Sequence, residues 1–160
     1  MYPLISFFLA AVLVTACTWT DLRSRRIYNV FTYPAALAGV VLSLMEGNWF
    51  NLYGSLIILA MYLYFFLSGK MGAGDLKLAV ALSLLLGFMP VLFGTLAAGV
   101  LIMAWGFSAT WRRTGQLQTA VLVVAGKLPG GEVPYGAVLG PSALGVAVLQ
   151  YYIDNGGNIS

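Results

Sequence analysis

The chain has 160 residues, 61% hydrophobic and 8% charged, with a mean hydropathy of +0.91; a soluble domain carries about 25% charge to solvate its surface, so the solvent of this chain is largely lipid. One cysteine and no histidine exclude disulfide frameworks, histidine-based zinc sites, Cys-His pairs and Ser-His-Asp triads. Chemistry is left to carboxylates, hydroxyls, Lys and Arg, and neither a cofactor nor a metal is expected.

A membrane-crossing helix needs roughly 20 apolar residues, with about 17 the practical minimum. The uncharged run 4–20 is the first such stretch, 30–45 the second and 53–67 the third. Residues 78–111 carry no charge, and as one helix they would be about 51 Å long against a hydrocarbon core of about 30 Å. The run must therefore fold back, and Gly87-Phe88-Met89-Pro90 is the expected turn, because proline cannot continue the hydrogen-bond ladder and glycine accepts unusual backbone angles. That yields spans four and five. The run 133–153 is the sixth, while 120–125 is too short to cross and is expected in a loop or at the interface. The expectation is one membrane-embedded, all-α domain over residues 1–160 with about six transmembrane helices.

Orientation follows from the cations, since short cytoplasmic loops retain Lys and Arg. With the N-terminus and C-terminus outside, Arg23, Arg25 and Arg26 fall in the first inner loop, Lys70 and Lys77 in the second, and Arg112, Arg113 and Lys127 in the third. All eight cations then lie inside. A single span over 78–111 would put the last three outside, so charge independently supports the fold-back. The net charge of +3 is thereby explained by orientation, and no nucleic-acid partner is expected. Val14-Thr15-Ala16-Cys17 has the look of a lipoprotein processing site, but a cleaved signal wants a cationic start and the first 22 residues contain no Lys or Arg. Cys17 is expected to be a small residue packed within helix one, and Gly94 and Gly99 are expected to permit close helix contacts.

Ionisable groups at the edge of a lipid-embedded helix are functional candidates unless they are cations reaching for headgroups. Asp21 closes span one, ahead of Leu22-Arg23-Ser24-Arg25-Arg26-Ile27-Tyr28-Asn29. Asp75 opens span four within Gly72-Ala73-Gly74-Asp75-Leu76-Lys77-Leu78. The topology brings both carboxylates to one membrane face at similar depth, the arrangement an aspartyl pair requires. Two carboxyls sharing a site do not both ionise cheaply, so one keeps a proton and serves as acid while the other activates water. The structural alternative is that Asp75 caps span four and Asp21 neutralises Arg23 or Arg25. Gly72 and Gly74, lacking side chains, would let a substrate strand approach Asp75. Lys77 either steadies the carboxylate or snorkels, and Asn29 either bonds near Asp21 or caps span two. Glu132 reads as a solvated loop residue.

In order and spacing, Asp21 with the Arg-rich loop and Ile27-Tyr28-Asn29, then Gly72 to Leu78, then Val133-Pro134-Tyr135-Gly136 resemble the type IV prepilin peptidases, the GxGD membrane aspartyl proteases. The resemblance covers nearly the whole chain. It implies an endopeptidase of the inner membrane that removes the basic leader of a membrane-anchored prepilin or pseudopilin after a glycine, at the cytoplasmic face, in pilus biogenesis. It also implies that Asp21 and Asp75 are catalytic and that Pro134, Tyr135 and Gly136 support the site. The family commonly has Ile-Pro-Asn where this chain has Ile27-Tyr28-Asn29, so the bend after Asp21 must be made without proline. Large members carry a cysteine-paired N-terminal extension and methylate the new N-terminus; with Asp21 closing the first span, the chain is similar to the compact form found with Flp/Tad-type pili or to an archaeal preflagellin peptidase, and no methyltransferase activity is expected. The competing reading is a non-catalytic membrane subunit or small transporter with the aspartates as an ion or proton relay, although a relay favours acids near the midplane. A third keeps proteolysis but places the cut within a span.

Overall fold

The computed structural model describes residues 2–116, 118–119 and 135–156. Six helices organise them: α1 (Tyr2–Ser24), α2 (Asn29–Met45), α3 (Trp49–Leu67), α4 (Ala73–Leu86), α5 (Phe88–Thr114) and α6 (Tyr135–Gly156). The protein is an all-helical membrane protein. Four stretches, Leu4–Ser24, Trp49–Leu67, Phe88–Thr114 and Tyr135–Asp154, are long and apolar enough to cross a bilayer, and α2 is a shorter apolar helix of 17 residues. The short segment at 120–125, Lys127, Glu132 and Pro134 lie outside the described residues.

Helix α4 is the centre of the bundle. It packs on every other helix, while α1, α2, α3, α5 and α6 touch in that order and close a ring around it. Its sequence accounts for this position, because from Leu78 onward it is apolar on all sides, and such a helix is stable only when surrounded. Leu78, Ala79, Ala81, Leu82, Ser83, Leu84 and Leu85 are all buried. With 14 residues α4 is about 21 Å long, short of the hydrocarbon thickness. The expected fourth span therefore exists as a helix but does not reach both interfaces by itself.

The fold-back occurs where the length arithmetic requires it, by the glycine half of the expected mechanism and not the proline half. The turn is the single residue Gly87, at φ 98°, a backbone conformation that glycine adopts without steric cost. Pro90 is not the breaker. It is buried in the first turn of α5, where its missing N–H removes no intrahelical bond. The C-terminal end of α4 is completed from outside: Asn51 on α3 donates through Nδ2 to the Leu84 carbonyl at 3.0 Å and to Ser43 Oγ on α2 at 3.0 Å. These bonds supply a carbonyl that the broken helix leaves without its own donor.

Close helix approach uses small residues. A Cβ on Gly39 would stand 2.6 Å from Leu84 Cβ, and one on Gly94 would stand 2.6 Å from Ala143 Cα, so α2 meets α4 and α5 meets α6 almost backbone to backbone. Gly94 has the expected role, whereas a Cβ on Gly99 would meet nothing within 4 Å among the described residues. Cys17 is fully buried in the core, as expected of a packed small residue.

Candidate active site

One end of the bundle gathers the end of α1, the start of α4 and the start of α6. Asp21 lies in the last turn of α1 and is only 7% exposed. A carboxylate there faces the negative end of its own helix dipole and needs a partner elsewhere. The head of α6 provides one, as the Ala137 N–H donates to Asp21 Oδ2 at 2.9 Å. Asp75 is the third residue of α4, and its carboxylate accepts hydrogen bonds from the backbone of Gly72 and of Gly136. The bond to Gly72, the N-cap residue, is the returning half of a capping box, so the structural reading of Asp75 as a helix cap holds for one of its bonds. The bond to Gly136 goes beyond it.

Adjacent amides of α6 thus each hold one aspartate. The separation of the two carboxylates is bounded by the glycine between them: a Cβ on Gly136 would stand 3.1 Å from Asp21 Oδ2 and 3.1 Å from Asp75 Oδ1, so the two oxygens lie no further apart than twice that distance. The same Cβ would stand 2.6 Å from Ile27 Cδ1. Only a residue without a side chain fits among the three groups.

The carboxylates open on a cleft of about 490 Å³ lined by Asp21, Arg25 to Asn29 and Gly72 to Asp75. The chain leaves α1 through Arg25, which at φ 50° is a non-glycine residue in the left-handed region. It then reaches Tyr28, the N-cap of α2, which is extended at φ −82° and ψ 136°. That backbone lies close to the values proline imposes, so the bend is made here without a proline. Ile27 occupies the space expected for a substrate beside Gly74, since a Cβ on Gly74 would stand 3.0 Å from Ile27 Cβ. Gly72 allows Asp75 to fold back, a Cβ there standing 3.3 Å from Asp75 Oδ2.

Lys77 and Asn29 are brought to each other. Lys77 Nζ donates to Asn29 Oδ1 at 2.8 Å and sits 5.2 Å from the centroid of the Tyr33 ring. Asn29 begins α2, yet its side chain neither caps that helix nor bonds Asp21; it ties α2 to α4 beside the cleft. Tyr135 and Gly136 open α6 at the site. Ala137 carried no signal in the sequence, because its contribution is a backbone N–H that almost any residue possesses.

A helical membrane bundle with two carboxylates held together at one end is the class that fold and site define. The family model described as type IV leader peptidase family matches residues 7–107, a stretch that contains both aspartates and runs from α1 into α5, and the chain belongs to that family. It is therefore a membrane protease of the leader peptidase kind. No curated protein and no solved structure matches it.

Proposed function

We propose that the protein is an aspartic endopeptidase that removes the basic leader of a prepilin or pseudopilin after a glycine, with Asp21 and Asp75 as its acid–base pair. The observation that carries this reading is the placement of both carboxylates on neighbouring amides of α6, at the floor of an open cleft. In this mechanism the ionised member takes a proton from water, which attacks the scissile carbonyl. The protonated member gives its proton to the departing amine, so the pair ends with one proton as it began. Neither aspartate is assigned a fixed role.

The cations at the ends of α1, α3 and α5 support a cytoplasmic location of the site by the positive-inside tendency, and with it an inner-membrane enzyme with both termini outside. The substrate would be a membrane-anchored chain whose leader reaches the cleft while its apolar helix stays in the bilayer. The test is cleavage, in detergent or membranes, of a peptide with a basic leader, a glycine and an apolar helix, with the cut located by mass spectrometry. Wild type is expected to cut after the glycine, and Asp21→Asn and Asp75→Asn each to lose on the order of 10³-fold in rate. Near-normal turnover in either folded variant would make that aspartate structural; cleavage inside the apolar helix would move the cut into the span.

A further inference from the structure

Near Asp75 but outside the lining of the cleft, three hydroxyls from three helices meet. Tyr62 of α3 is fully buried, and its hydroxyl is 2.8 Å from Thr95 Oγ1 on α5 and 3.3 Å from the Tyr135 hydroxyl at the first residue of α6. Thr95 Oγ1 in turn donates to the Val91 carbonyl at 2.7 Å. Each hydroxyl has one proton to give, so the chain has a single direction. Thr95 has committed its proton to Val91 and accepts from Tyr62; Tyr62 has committed its own and accepts from Tyr135. The Tyr135 proton is thereby directed toward the core and away from the carboxylates.

Helices α3 and α6 have no backbone contact among the described residues, so the two phenol arms reach across the gap between them. What they hold is the first residue of α6, immediately before the amides of Gly136 and Ala137 that bind Asp75 and Asp21. We infer that Tyr62 and Thr95 are positioning residues of the active site: their hydroxyl chain fixes Tyr135, and through it the pair of amides that sets the distance between the two aspartates. This rests on the reading of Asp21 and Asp75 as the acid–base pair. Neither Tyr62 nor Thr95 touches the cleft, so each acts through Tyr135. An apolar packing role would need only the rings and the threonine methyl; the hydroxyls would be dispensable.

The test uses Tyr62→Phe and Thr95→Val, which keep shape and remove one hydroxyl each, together with the double variant, in the full-length protein and with the leader peptide as substrate. The expected result is a fall in kcat of about tenfold in each single variant with KM unchanged, consistent with the sensitivity of rate to small misplacements of reacting groups. The double variant should fall no further, because one break already opens the chain. Wild-type kcat in both single variants, or losses that multiply in the double, would overturn the inference while leaving the aspartyl mechanism intact. A second readout does not need turnover. The infrared carboxyl bands of Asp21 and Asp75, assigned by their loss in Asp21→Asn and Asp75→Asn, should shift in Tyr62→Phe. Unshifted bands would overturn the inference even if wild type cut no leader peptide, an outcome that would separately refute the leader-cleavage reading.

Discussion

The two ends of α4 solve the same problem with different chemistry. At its C-terminal end a carbonyl orphaned by Gly87 is taken up by Asn51 and Ser43, neutral groups that are buried with it. At its N-terminal end Asp75 turns back on Gly72 and also reaches α6, beside a second carboxylate and an open cleft. The first arrangement is a buried, uncharged plug that serves the backbone, which is what a short central helix needs in lipid. The second holds more charge than capping requires. Two acids are kept close by backbone amides, with oxygen lone pairs left over for water or substrate. The difference teaches that polarity near a membrane helix end is functional when it exceeds what the backbone demands.

Substitutions that separate the two ends sharpen the comparison. Gly136→Ala is expected to reduce cleavage by about 100-fold, since its methyl would press on both carboxylates and displace the reacting groups. Adding Ile27→Ala removes the 2.6 Å contact but not the carboxylate contacts, so steady-state rates should recover little; full recovery would show that Ile27 alone needs the glycine. Gly94→Ala places a Cβ against the backbone of Ala143, which cannot swing aside, and should lower stability by about 2 kcal/mol, whereas Gly99→Ala should change it by a few tenths at most; thermal unfolding in detergent reads both. Asn51→Leu should cost about 1–2 kcal/mol by leaving the Leu84 carbonyl poorly satisfied, with kcat per folded molecule unchanged. A lower kcat there would erase the distinction between the ends. The one stabilising change is Tyr28→Pro, whose backbone already suits proline: cleavage persists and stability rises by up to about 1 kcal/mol.

The helical frame was readable because lipid imposes length. The uncharged run 78–111 cannot be one span, and the cations agree. Which residue breaks the run was half readable: glycine and proline both advertise a break, and Gly87 makes it with a positive φ, whereas proline at the third position of a helix fits. The length of α4 escaped for a related reason, since span arithmetic assumes that helix ends seek the interface, and Asn51 lets this one stop early. Asp21 and Asp75 stood out as acids where acids are expensive. The partners of Lys77 and Asn29 did not, because a bond between residues 48 positions apart depends on packing rather than on motif. The motif pointed to Gly136, but the grip of α6 on Asp21 through the Ala137 amide was not readable, because almost any residue supplies that N–H. Tyr62 was not legible either: the same run holds Tyr53 and Tyr64, and only its burial sets it apart as a phenol that must find a hydroxyl partner.

The central claim is that Asp21 and Asp75 act as one unit. The most direct measurement is the single-turnover cleavage rate of Asp21→Asn, Asp75→Asn and the double variant on one leader peptide, with folding checked for each. The account predicts that either single substitution loses about as much as the double, as groups acting together do. Losses that multiply, or a single variant with near-normal rate, would contradict it.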